Sequence, residues 1–79
     1  MSEPAVLNRI EKVFQDVFGE PDLNVSETMA RTDFPDWDSL HHINLMVSIE
    51  KEFGIRMNLG DVQDANSVRE ILSIVNQKL

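Results

Sequence analysis

Apolar residues recur at intervals of three and four in three stretches of the chain. Over residues 3–18, Val6, Leu7, Ile10, Val13, Phe14, Val17 and Phe18 form the single stripe of an amphipathic helix. Pro4 falls in its first turn, where a missing N–H costs little. Gly19 offers a left-handed stop, and Pro21 prevents the helix from resuming. Over residues 39–53, Leu40, Ile43, Met46, Val47 and Phe53 are read as one helical face, widened by Leu45 and Ile49. Asp38 suits an N-cap and Gly54 the residue after the C-cap. The third stretch opens at Ser67-Val68-Arg69-Glu70, a capping-box pattern, with Val68, Ile71, Leu72 and Val75 on one face.

The intervening segments carry no such period. Residues 20–37 hold Pro21, Asn24, Ser26, Pro35 and scattered acids. A loop this long is uncommon in a small domain and usually has a structural or binding role. Val25, Met29, Phe34 and Trp37 are expected to pin it to the core. Leu59, Val62 and Ala65 predict a short helix within residues 58–65. The chain shows no repeat, low-complexity tract or linker, so residues 1–79 are read as one domain. The pattern predicts an all-α up-down bundle with a long loop between its first two helices. Leu7, Ile10, Phe14, Leu45, Ile49, Phe53, Val68, Ile71 and Leu72 are the expected core, joined by Met46 and Met57.

Length and composition narrow the function. A domain of 79 residues buries only about 60% of its unfolded surface. It has no spare volume for a deep, water-excluding active site, which argues against an enzyme. Cysteine is absent, so disulfides and thiolate zinc sites are excluded, and any thiol must arrive on a prosthetic group. The apolar runs are too short to cross a bilayer. Met1-Ser2-Glu3-Pro4 has neither the basic nor the apolar region of a secretion signal. A cytoplasmic monomer without membrane insertion is expected. The net charge is −7, with eight acids and three bases in residues 1–37 and six acids and four bases in residues 38–79. Nucleic-acid binding needs a basic footprint that this chain lacks. Spread acidity steers a protein toward basic partner surfaces, and it also simply keeps a small protein soluble.

The candidate for chemistry is Ser39. It follows a suitable N-cap and opens the second predicted helix, so its hydroxyl should face solvent. Unsatisfied N–H groups and partial positive charge at a helix start favour an attached anion. An ordinary first-turn serine would look the same locally, since serine is common near helix starts.

The surrounding string adds more. Asp36-Trp37-Asp38-Ser39-Leu40, followed by Ile43, Leu45, Ile49, Glu50 and Glu52-Phe53-Gly54-Ile55, closely resembles the acyl carrier protein family. The likeness rests on an Asp-Ser-Leu triplet opening the second helix, then an apolar helix ending in acids and Phe. It continues through residues 38–79 and reaches the first helix by pattern. The resemblance implies a four-helix bundle with a short third helix. It implies 4′-phosphopantetheine on Ser39, transferred from coenzyme A by a phosphopantetheinyl transferase that uses Mg²⁺. The arm's thiol would hold acyl groups as thioesters for delivery to acyl-loading and acyltransferring enzymes, while the carrier catalyses nothing. Asp38 and Leu40 match the residues flanking the attachment serine. Ile43, Asn44, Val47 and Glu50 match, by position, the surface that partner enzymes recognise.

The chain also departs from that pattern. Fatty-acid carriers tend to line the second helix with carboxylates. Here the surface is read as His41, His42, Asn44, Ser48, Glu50 and Lys51, with both histidines taken as solvent-exposed. Together with Trp37 before the triplet, this resembles stand-alone carriers of secondary-metabolite or surface-polysaccharide pathways. An aminoacyl or peptidyl carrier, and a small helical interaction domain without a prosthetic group, share the same apolar stripes. A hydrolytic triad of Ser39, His42 and Asp36 or Asp38 would also need a well-placed acid, an oxyanion hole and a pocket, and the size of the domain argues against a pocket. Asp61, Asp64 and Asn66 lack the calcium-loop Gly and terminal Glu, and read as a solvated turn.

Overall fold

A computed structural model describes the backbone of residues 3–79 and the side chains from Pro4 onward; the expectation placed on Met1 and Ser2 lies outside the described residues. Four helices follow one another: α1 Glu3–Phe18, α2 Ser39–Phe53, α3 Leu59–Asp64 and α4 Val68–Lys78. A single 3₁₀ turn, Arg31–Asp33, interrupts the long loop. The all-α bundle with a short third helix is therefore the observed fold.

The ends of the helices are set by local chemistry. Gly54 takes φ 63° and ψ 37°, and its N–H donates to the Glu50 carbonyl, which closes α2 in the left-handed region that glycine tolerates best. Asn58 caps α3 by accepting from the Asp61 N–H at 2.8 Å, and Asp61 Oδ2 accepts from the Asn58 N–H at 3.1 Å. Asp61 also pairs with Lys78 Nζ at 3.0 Å, which ties α3 to α4. Ser67 caps α4 by accepting from the Glu70 N–H at 3.1 Å. The return contact of that box runs through the Ser67 hydroxyl to Glu70 Oε1 at 3.0 Å.

The core draws on every segment. Ile10, Phe14, Leu45, Ile49, Val68, Ile71 and Leu72 are buried as expected, with Phe53 at the margin, and Leu7 packs half-buried against them. The long loop is pinned as the apolar pattern predicts: Val25 and Trp37 are buried, and Met29 and Phe34 are half-buried against the cluster. Backbone bonds hold it as well. Arg31 N–H donates to the Asn66 carbonyl at 2.8 Å, and Val68 N–H to the Met29 carbonyl at 2.9 Å. These two bonds clamp the loop to the start of α4 in a short antiparallel bridge between Ala30 and Ser67.

Two expectations for α2 need correction. Its inward face is His42, Leu45, Met46, Ile49 and Phe53. Leu40, Ile43 and Val47, assigned to the apolar face, are 67%, 58% and 43% exposed and point away from the bundle. His42, expected in solvent, is 6% exposed. Its Nδ1 accepts from Trp37 Nε1 at 2.9 Å, and its Nε2 lies 2.7 Å from the Val62 carbonyl. That pairing puts the proton of the neutral ring on Nε2, where it donates to Val62. A satisfied histidine thus occupies a core position and links the loop, α2 and α3.

Candidate functional site

The start of α2 is assembled from three segments. Asp38, in extended conformation, caps the helix by accepting from the His41 N–H at 2.9 Å. Its Oδ1 also lies 2.8 Å from His41 Nδ1. The His41 N–H, and then the His41 ring, hold the Asp38 carboxyl below the ordinary carboxylate range. His41 itself stacks on Phe18 of α1, with ring centroids 5.1 Å apart and planes 11° from parallel. The cap is therefore braced from the end of α1. Trp37, one residue earlier, packs edge-on against Phe14 at 5.2 Å, which fixes the chain just before the turn into α2.

Ser39 is the first residue of α2 and is exposed. Arg31 reaches it from the 3₁₀ turn. Arg31 Nε donates to the Trp37 carbonyl at 3.1 Å, Nη1 is 3.5 Å from Asn66 Oδ1, and Nη2 is 3.5 Å from Ser39 Oγ. The last two separations are at the outer limit of hydrogen bonding, so the guanidinium flanks the hydroxyl rather than engaging it. His42 lies three residues on, but both of its ring nitrogens are engaged with Trp37 and Val62. It is not placed to act as a base for Ser39.

The other sequence-derived candidates divide into two groups. Leu40, Ile43, Asn44 and Val47 are exposed along one side of α2, in line with Ser39. A shallow groove between α1 and α2, bordered by Val17, Asn44, Val47 and Lys51, runs beside them. Glu50 is half-buried, and its Oε2 accepts from the Met57 N–H at 2.9 Å. Its carboxylate therefore closes the turn after α2, and the residue sits at the margin of the exposed side. Arg31 was not anticipated from the sequence. The signal available was its sign: it is the one base among the acids of residues 20–38.

An exposed primary hydroxyl, open to solvent at a helix start with a guanidinium beside it, fits a phosphate-linked prosthetic group. Comparison with known proteins points the same way. The family model described as the phosphopantetheine attachment site matches residues 8–75. The chain is similar to an acyl carrier protein of Thermotoga maritima, 24% identical over 99% of this chain and 96% of the relative. It is also similar to one of Acidothermus cellulolyticus, 25% identical over 95% and 89%. Its backbone matches the solution structure of a holo acyl carrier protein from Geobacter metallireducens with a TM-score of 0.83, at 30% identity over 92% of this chain and 84% of that one. With sequence and backbone agreeing over nearly the whole chain, the protein belongs to the acyl carrier protein family, and its prosthetic group is phosphopantetheine.

Proposed function

We propose that Ser39 carries the phosphopantetheine arm and that the protein serves as a dedicated carrier in a specialised biosynthetic pathway. The observation that supports the attachment site is the exposed Ser39 hydroxyl at the first position of α2, between the Asp38 cap and exposed Leu40. The arm supplies a terminal thiol, and with it thioester chemistry, to a chain that has no cysteine. Asp38 orients the first turn of α2. The exposed side formed by Leu40, Ile43, Asn44 and Val47, with Glu50 at its margin, receives the phosphopantetheinyl transferase and the acyl-loading and acyltransferring enzymes. The domain spans residues 1–79 and acts in the cytoplasm as a monomer.

The specialised role is supported by what α2 presents to solvent. His41, Asn44, Ser48 and Lys51 stand on its outer side with few carboxylates, which gives weak steering toward basic synthase surfaces. Trp37 is buried against Phe14, so the difference from carboxylate-lined carriers lies in these outer residues. Acyl cargo is favoured over aminoacyl or peptidyl cargo by the acyl carrier relatives named above.

The test is chemical. Incubation of the purified protein with coenzyme A, Mg²⁺ and a broad-specificity phosphopantetheinyl transferase should raise its mass by one phosphopantetheine. Ser39→Ala should abolish the gain and leave the helical circular dichroism intact. An unmodified wild type with several transferases, or a modified Ser39→Ala, would overturn the assignment.

A further inference from the structure

Ser39 follows a carboxylate that already caps α2, so a phosphodiester there needs a cation as well as the helix start. The Asp38 carboxylate already draws on the donors that a helix start offers an anion. The Asp38 carboxylate takes the His41 N–H at 2.9 Å, with a smaller contribution from the Leu40 N–H. The Asp38 carbonyl takes the His42 N–H at 2.9 Å. An anion on Ser39 would therefore meet a fixed carboxylate at its neighbour, in a protein of net charge −7. Like charges on neighbouring residues repel, and a cation beside them offsets that repulsion.

Arg31 is that cation. Its backbone N–H is held by the carbonyl of Asn66, in the turn before α4, at 2.8 Å, and its Nε by the Trp37 carbonyl at 3.1 Å. These contacts aim the guanidinium at Ser39 and leave Nη2 3.5 Å from the hydroxyl oxygen. Among the described residues no carboxylate pairs with Arg31, whereas Arg9 pairs with Glu52 and Lys78 with Asp61. The spacing suits a phosphorus attached at Oγ. A phosphate attached there would offer non-bridging oxygens that Nη2 could meet with a charge-assisted hydrogen bond, ordinarily ~2.7–2.9 Å long. A planar guanidinium already anchored through Nε loses little freedom on making that bond.

We propose that Arg31 is a positioning residue for the prosthetic group, its guanidinium holding the phosphodiester on Ser39 and offsetting the neighbouring Asp38 carboxylate. The inference rests on Ser39 being the attachment site. It makes the 3₁₀ turn of the long loop part of the cofactor site and gives the arm a fixed direction of departure from α2. The clamp through Asn66 then makes the start of α4 a supporting element of the same site.

The experiment separates the two claims. Intact mass of wild type and Ser39→Ala after transferase treatment first decides attachment; no gain in wild type would remove both readings together. On the modified wild type, the side-chain Nε–H resonance of Arg31 and the ³¹P resonance of the phosphodiester are then recorded by NMR. The expected result is a resolved shift of the Arg31 signal between unmodified and modified protein. Arg31→Gln should shift the ³¹P line and sharpen it, and Arg31→Lys should give an intermediate position. Raising salt should move the wild-type ³¹P line toward the Arg31→Gln value. Should Arg31→Gln fail to fold or to be modified, Arg31→Lys and the wild-type Arg31 shift decide alone. An Arg31 signal unchanged by modification, with ³¹P lines that coincide in wild type and variants, would overturn the proposal. A merely structural Arg31 would lower stability equally in the unmodified and modified forms and leave the ³¹P line where it was.

Discussion

The first and second helices are both rich in apolar residues, but they use them differently. In α1, Val6, Ile10, Val13 and Phe14 are buried, and Leu7, Val17 and Phe18 are half-buried, so the whole stripe faces the bundle. In α2, Leu45, Met46, Ile49 and Phe53 face inward with His42, while Leu40, Ile43 and Val47 face solvent. Helix α2 thus carries a second apolar side that contributes little to the core. Its cluster lies beside Ser39, where solvent exposure of three large apolar groups is compatible with a contact surface. The lesson is that α1 gives its apolar residues to the core, whereas α2 divides them between the core and solvent.

The strongest way to break this comparison is to attack the inward sides. Phe14→Ala in α1 and Phe53→Ala in α2 each delete a large group from the same cluster. Truncations of this kind cost about 3–5 kcal/mol, against the ~3–5 kcal/mol that the core of so small a domain supplies. Both variants should be largely unfolded at room temperature by circular dichroism and urea titration. Phe53 is the sharper case, because the Arg9 guanidinium covers its ring at 4.5 Å. A cooperative melt near wild type for Phe53→Ala would show that the lower end of α2 does not share the core of α1.

A smaller effect is expected at the position that gives α2 its register. His42→Leu fills similar space but leaves Trp37 Nε1 and the Val62 carbonyl without partners. Each unsatisfied buried group costs about 1–3 kcal/mol. His42→Leu should lower the melting temperature clearly and change the Trp37 fluorescence, while His41→Leu, half-exposed, should do much less. Equal melting of the two variants would mean that the buried histidine contributes nothing to holding the loop, α2 and α3 together.

Smaller again is the contribution of Asp38, and it has a sign. Its folded pKa is lowered, first by the His41 N–H and then by the His41 ring. The stability it adds is therefore fully present above the unfolded carboxyl value of about 3.9. It is lost as pH falls through the lower folded value. Asp38→Asn should lower the melting temperature modestly at neutral pH, converge on wild type in acid, and so flatten the acid limb of the melting temperature against pH. An unaltered acid limb would show that the cap is not coupled to protonation.

The bundle was legible from spacing and caps: Asp38, Gly54 and Ser67 mark helix ends where the structure has them. The four residues expected to pin the long loop do so. The orientation of α2 was legible only in part. Leu45, Ile49 and Phe53 were expected in the core and are there, but Leu40, Ile43 and Val47 were also read on the inward face and His42 outside it. Leu40, Ile43 and Val47 are apolar and His42 is polar, so periodicity alone puts these four on the wrong side. Only the pairing of His42 with Trp37 and Val62, which joins residues up to 20 apart in sequence, makes a histidine a core residue. Arg31 was hidden for a similar reason, since its approach to Ser39 depends on the clamp between the loop and Asn66.

The smallest effect on stability is expected on the outer side of α2, where the functional effect should be largest. Val47 is 43% exposed, and surface substitutions of this kind usually change stability by no more than about 0.5 kcal/mol. Val47→Asp should therefore melt like wild type. It places a charge in the middle of the apolar cluster with Ile43 and beside the groove shared with α1, so it should weaken loading of the modified protein by its cognate acyl-loading enzyme. Glu50→Gln should weaken loading less, because the Glu50 carboxylate is turned to the Met57 N–H and a glutamine oxygen can accept the same bond. With half-buried Glu50 at the margin of this side, and Lys51 facing Asp16 across the groove, charge steering should be weak, and loading should depend little on ionic strength. On the specialised role proposed above, fatty-acid synthase enzymes, which meet few carboxylates on α2, should turn the protein over poorly. Loading kinetics at low and high salt decide the matter. Efficient fatty-acid elongation with steep salt dependence, or a greater loss for Glu50→Gln than for Val47→Asp, would make the outer side of α2 an electrostatic surface and return the protein to primary lipid synthesis.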